Sequence, residues 1–101
     1  MARVIITDSA DADSAAILDD LKSKAGEPIA TKYRNLFRQL YERLADYPNS
    51  GPSRPALGPN VRIGIVLPYI VIYESAVNAD SVTILRIVHG RRKISGKLLS
   101  G

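Results

Sequence analysis

Between residues 29 and 47, Ile29, Tyr33, Leu36, Phe37, Leu40, Leu44 and Tyr47 recur at steps of three and four. Lys32, Asn35, Arg38, Gln39, Glu42, Arg43 and Asp46 occupy the opposite side. One apolar stripe against one polar face is the signature of an amphipathic helix, and this is the strongest periodic signal in the chain. Pro28 suits the first helical position, where its missing amide hydrogen has no intrahelical partner to lose. A shorter helix precedes it, with Ile17, Leu18, Leu21 and Ala25 at helical spacing. Asp8 or Ser9 can cap its start, and Asp11 and Asp13 favour the positive end of its dipole. Lys22 and Lys24 fall in its last turn and Gly26 is a plausible stop. So short a link predicts an antiparallel helical hairpin.

The flanking segments follow a period of two. "ARVIIT", residues 2–7, reads as a short strand. In "VRIGIVL", Val61, Ile63, Ile65 and Leu67 alternate with Arg62 and Gly64. "YIVIYE" follows after Pro68 alone, which predicts a tight hairpin. "VTILRIV", residues 82–88, is apolar on both faces apart from Thr83 and Arg86, as expected of a central strand. Before these strands, "YPNSGPSRPALGPN" is too rich in proline and glycine for a helix or central strand and reads as an ordered loop. The order strand, helix, helix, three strands predicts an α+β domain. A helical hairpin should pack on one face of a mainly antiparallel sheet, the last three strands forming a meander. The length of 101 residues fits a single domain, 1–101, with one core.

Composition changes this picture little, but charge distribution changes it more. The chain has no cysteine, which removes disulfides and thiolate metal sites. No apolar run approaches the roughly 18 residues of a membrane span. "MARVIITDSADAD" turns acidic at once, unlike a signal peptide, which favours the cytoplasm. Residues 1–26 carry three basic and five acidic side chains, net −2, and residues 27–101 carry eleven and five, net +6. From Arg86 onward there are five basic residues and no acid. This basic end is either a solubilising tail or a contact for an anionic partner.

Candidate chemistry concentrates in "VTILRIVHGRRKI", residues 82–94. His89, the only histidine, would need a positioning carboxylate or a nucleophile to act as a general base, and the sequence places none beside it. A structural hydrogen bond at the strand end is the favoured reading. Gly90 lets the chain leave the sheet, through positive φ or close backbone approach. Arg91, Arg92 and Lys93 then project as solvated charges or as a contact for a partner. Arg86, inside an apolar strand, must reach solvent on an open sheet face, which Arg62 could share, or pair with an acid such as Glu74. There is no Walker loop, dinucleotide glycine pattern or metal-ligand spacing, and no metal or other cofactor is implied.

The order of elements, the loop "YPNSGPSR", the hairpin "VRIGIVLPYIVIYE" and the ending "VTILRIVHGRRKI" together resemble the RelE/ParE superfamily over nearly the whole chain. These are toxins of bacterial type II toxin–antitoxin modules, also called plasmid stabilisation proteins. The resemblance implies a RelE-like fold. Its RelE branch cuts messenger RNA in the ribosome, and its ParE branch is known mainly for poisoning DNA gyrase. RelE-type nucleases carry lysines on the second strand, an Arg after a Tyr at the start of the third, an Arg after the last strand and a Tyr near the C-terminus. Here the second-strand positions are Arg62 and Gly64, Tyr69 is kept, the Arg position is Ile70, Arg92 is kept, and the Tyr position falls near Leu98. A terminal His-Tyr pair, used by another nuclease subgroup, is absent from "KLLSG".

The resemblance therefore implies a ParE-like toxin: a gyrase inhibitor without nuclease activity, silenced by a ParD-like ribbon-helix-helix antitoxin in a hetero-oligomer. Contact with DNA would be indirect, through the antitoxin. Tyr33, Phe37, Tyr41, Arg62 and Arg86 are the expected antitoxin contacts, in an apolar groove with a basic rim. Arg91, Arg92 and Lys93 are the expected target contacts. The alternative is a ribosome-dependent endoribonuclease using Arg62, His89 and Arg92. A third is a toxin that has lost its activity and only binds an antitoxin.

Overall fold

The computed structural model describes residues 1–76, 78 and 80–91. The elements run β1 (Arg3–Ile6), α1 (Asp8–Ala25), α2 (Glu27–Asp46), a single 3-10 turn at Pro55–Leu57, β2 (Val61–Val66), β3 (Tyr69–Ala76) and β4 (Ser81–His89). The sheet order is β1-β4-β3-β2, with β1 parallel to β4 and the other pairs antiparallel. The fold is thus the expected α+β arrangement with β4 inside the sheet. The loop after α2 holds one helical turn that its prolines had argued against. Pro55 sits at the start of that turn, where proline costs no hydrogen bond.

Thr7, not Asp8 or Ser9, caps α1: its hydroxyl accepts from Ala10 N at 3.1 Å. Glu27 is the first residue of α2, and Pro28 still falls in its first turn. Gly26 joins the two helices at φ +94°, a conformation that a side chain would strain.

The face of the sheet under the helices is built from Val66, Tyr69, Val71, Tyr73, Val82, Ile84 and Ile87, against Phe37, Leu40 and Leu44 of α2 and Ala10 of α1. In β2 this face takes Arg62, Gly64 and Val66, the cross-strand neighbours of Tyr73, Val71 and Tyr69. The alternating apolar row therefore turns away from the helices. Val61 and Ile63 join Ile72 and Val88 in a second buried cluster, flanked by Leu57, Ile70 and Leu85. Gly64 explains the assignment. A Cβ there would lie 3.0 and 3.1 Å from the two methyl carbons of Leu40, so its absence brings α2 close to the sheet. The outer face is accordingly apolar rather than the open polar face that Arg86 and Arg62 could have shared, and Arg62 lies on the helix side.

β4 carries a bulge. Ile72 pairs with Arg86 and Tyr73 with Ile84, so Leu85 is an extra residue on that strand. After it the side-chain alternation reverses: Ile84 and Ile87 both belong to the helix-side core, Leu85 and Val88 to the outer cluster. An unbulged strand would set Arg86 beside Ile84 in that core, at the cost of burying a charge. Instead Arg86 reaches α1 and meets Asp13, not Glu74: Nε lies 2.7 Å from Oδ2 and Nη2 3.1 Å from Oδ1. Asp13 Oδ2 also accepts from Ile87 N at 3.0 Å. Neither side chain is more than about one-fifth exposed, 21% and 18%.

Removing one side of such a pair strands the other, so Asp13→Ala should lower stability by about 3 kcal/mol. Arg86→Met leaves the bond to Ile87 N in place and should cost about 1–2 kcal/mol. Urea unfolding of the two variants, compared at equal m-value, checks the ranking.

Candidate functional site

Three surfaces carry the predicted functional residues, and the first and third adjoin through Tyr69. The first is a groove of about 450 Å³ between α2 and the end of β2. Tyr33, Leu36 and Leu40 form one wall and Ile65, Val66 and Leu67 the other, with Lys32, Gln39 and Arg43 along the rim. Tyr33 stands edge-on to Tyr69, ring centres 5.7 Å apart, and its hydroxyl donates to Leu67 O at 3.2 Å. Ile65 and Leu67 are 45% and 78% exposed, unusual for large apolar side chains. Among the described residues neither Lys32 nor Arg43 has an acidic partner, whereas Lys22, Lys24, Arg38 and Arg86 do.

The aromatic residues expected on one binding surface divide three ways. Tyr33 lines the groove. Phe37 is a core residue, 3% exposed and packed on Tyr69, and leaves the contact set. Tyr41 is half-buried; burial and the nearby charge of Asp11 push its hydroxyl up to about 12. Tyr69 is also raised, by burial first, then by Tyr33 and Asp20, with Lys24 opposing.

The second surface is the loop after α2. Arg62 Nη1 donates to Gly51 O at 2.8 Å and to Asn49 O at 3.2 Å. Gly51 N donates to the buried Tyr73 hydroxyl at 3.0 Å, and Ser75 Oγ to Asn49 Oδ1 at 3.0 Å. Arg62 thus holds backbone, and Arg86 holds Asp13. Both expected antitoxin contacts are engaged internally, because a partly buried guanidinium needs oxygen partners at home. The hydrogen bond to Asp13 holds Arg86 above its ordinary pKa despite partial burial, with the charge of Asp13 adding to it.

The third surface is the end of β4. His89 is exposed, edge-on to Tyr69 at 5.9 Å, and its Nδ1 accepts from Arg91 N at 3.1 Å. The ring therefore closes the turn out of the strand. Gly90 N donates to Pro68 O at 2.7 Å, and a Cβ at Gly90 would lie 3.0 Å from the same oxygen. Close backbone approach explains this glycine; its φ is not in the positive region. Arg91 is exposed. Arg92, Lys93 and Leu98 lie outside the described residues.

His89 pairs with Tyr69 on one side of β3, and Arg62 pairs with Tyr73 on the other. Four residues along the strand and two strand spacings separate their backbones by about 16 Å. The remaining nuclease positions also differ from a cationic site: Leu40 covers Gly64, and Ile70 belongs to the outer apolar cluster.

Sequence reasoning expected a basic-rimmed groove but did not single out Asp13 as Arg86's partner or Lys32 and Arg43 as the rim. Lys32 and Arg43 were visible as polar-face residues, and nothing local marked β2 as a sheet edge.

A two-helix hairpin on a four-stranded sheet with this order is the framework of the small toxins that the sequence resembles. Residues 4–94 match the family described as ParE toxin of type II toxin-antitoxin system, parDE, and the chain belongs to that family. It is 32% identical over 98 residues to Toxin ParE3 of Caulobacter vibrioides, covering 97% of this chain and 96% of that one. Among solved structures it resembles a chain of the chromosomal ParDE TA system from P. aeruginosa. That match has a TM-score of 0.72 and 27% identity, over 88% of this chain and 96% of the other.

Tyr41 has a pH signature. Its pKa is raised from 10.0 to about 12, so the fold favours its neutral form. The stability this contributes is complete below the unfolded value of about 10 and is lost as pH climbs through about 12. Alkaline titration at 295 nm should show a tyrosine ionising near pH 12 that disappears in Tyr41→Phe.

Proposed function

We propose that this ParE-family toxin acts by binding DNA gyrase rather than by cutting RNA, and is silenced by direct binding of a ParD-like antitoxin. A cytoplasmic setting follows from that target; no described helix is long and apolar enough to cross a membrane. Support for a binding mode comes chiefly from the separation of Arg62 from His89. Cleavage next to a 2′-hydroxyl needs a base, an acid and phosphate-stabilising cations within reach of one phosphate. Here the histidine and the second-strand cation stand on opposite flanks of β3, each committed to backbone groups.

The antitoxin reading is supported by the relative's ParDE assembly and by the groove beside α2. An apolar floor with rim cations that no described acid pairs suits an acidic amphipathic segment. Tyr33 is its central aromatic contact. The exposed Arg91, with Arg92 and Lys93 after it, is the proposed target contact, beyond His89 and across Tyr69 from the groove. The antitoxin in turn carries the module's contact with DNA.

Purified toxin should inhibit gyrase supercoiling or trap cleaved DNA, and transcripts mapped after induction should show no codon-register cuts. An inert effect on gyrase overturns the target. Cuts abolished by His89→Ala establish the nuclease alternative. Reversing Arg91, Arg92 and Lys93 to Glu should weaken gyrase inhibition about tenfold or more while leaving antitoxin affinity unchanged.

A further inference from the structure

The large apolar side chains exposed among the described residues fall into two places. Ile65 and Leu67 belong to the groove. Met1, Ile5, Ile6 and Tyr47 gather about β1 instead. Ile5 and Ile6 are on the strand or at its end, and Tyr47 follows Ala45, whose carbonyl accepts from Ala2 N at 2.7 Å. β1 is also an edge strand, with β4 alone beside it. Arg3 N donates to Asp80 O at 3.0 Å and Thr7 N to Ile84 O at 3.1 Å, so the odd-numbered residues turn their backbone toward β4. By alternation Val4 and Ile6 turn theirs outward. Among the described residues nothing bonds those N–H and C=O groups. Proteins usually guard such an edge with charges, a proline, a bulge or a covering segment. Apart from being short, β1 has Arg3 alone.

We propose that two copies of this toxin pair β1 with β1, antiparallel about a two-fold axis at Ile5, and so join their sheets edge to edge. The register follows from the outward groups. With Ile5 opposite its counterpart, Val4 of each copy faces Ile6 of the other, and every outward N–H and C=O of both strands is bonded. Arg3 then stands opposite Thr7 of the second copy, one position from its Asp8. Arg3 and Asp8 are exposed, and neither has an ion-pair partner among the described residues. The axis makes that charge contact twice, which sets the register and favours a second copy over an unrelated strand. Ile5 meets its counterpart directly, with Ile6, Met1 and Tyr47 at the margin, so the exposed apolar surface loses water in the same contact. So short a strand gives an interface at the small end of the range, and the dimer is weak and concentration-dependent. β1 and β2 are opposite edges of the sheet, so the groove beside α2 stays open in it.

Sedimentation of the purified toxin without antitoxin, over about a hundredfold range of concentration, should show monomer giving way to dimer. Hydrogen exchange at the Val4 and Ile6 amides should slow as concentration rises, while the Ile65 amide keeps its rate. Ile5→Lys sets like charges against each other on the axis, at a position already open to water, and should weaken the dimer about tenfold or more. Arg3→Asp should weaken it in a salt-dependent way, and adding Asp8→Arg should restore it. A toxin that stays monomeric throughout overturns the proposal. So does a dimer that survives Ile5→Lys while Val4 and Ile6 exchange at the monomer's rate, because the contact then lies on another face. If the two amides are protected only once antitoxin is added, the antitoxin occupies this edge and the second copy is wrong. Exchange is read on the unaltered chain, so it decides the matter even if a variant does not fold.

Discussion

The interaction on which the structure turns is the handover of the β4 edge from a strand to a helix. β1 pairs with β4 only from Ser81 to Ile84. Past that point, Thr7 N donates to Ile84 O at 3.1 Å, and the Thr7 hydroxyl shares its single proton between Ile84 O at 2.9 Å and Leu85 O at 3.1 Å. Asp13 then accepts from Ile87 N. Thr7 and Asp13 thus do for the bulged half of β4 what a longer β1 would have done. Backbone groups left without such partners cost free energy, so the position of α1 is fixed by bonding as well as by apolar contact. The hairpin carries α2 with it, and α2 supplies one wall of the groove.

The same logic separates buried cations from usable ones. Arg62 and Arg86 each spend their guanidinium on the fold, one on loop carbonyls and one on Asp13. Lys32, Arg43 and Arg91 spend nothing of that kind among the described residues. The proposed gyrase and antitoxin contacts call for two such surfaces. One lies along α2 and the other at the end of β4, with Tyr69 between them.

Much of this was legible in the chain. The stripe of α2 and the apolar run of β4 give their elements directly, because burial on one helical face or on both sheet faces leaves a period that a sequence shows. The faces were harder. Val61, Ile63 and Ile65 form the obvious row, yet Gly64 lies under α2, since the helix contact wanted a missing side chain rather than a large one. The bulge in β4 breaks the period of two, so the strand pattern did not show where Arg86 would find its acid. Asp13 looked like a dipole residue because its second job involves a partner 73 positions away. Local pattern contains no trace of such a pair. The β2 wall of the groove escaped for a related reason: Ile65 in an interior strand and Ile65 at an edge read identically.

Because β4 is the last strand in chain order and lies between β1 and β3, nothing synthesised before it can assemble the sheet. β1 has no neighbour until residues 81–84 arrive, and the α1 cap has no carbonyl to hold. A ribosome-bound fragment ending before β4 is limited to the helical hairpin and the β2–β3 ribbon, which is marginal in water without further strands. Contacts this distant along the chain also slow folding. The complete sheet, and with it the end of β4 and the cap of α1, therefore forms all at once, after the final strand is released.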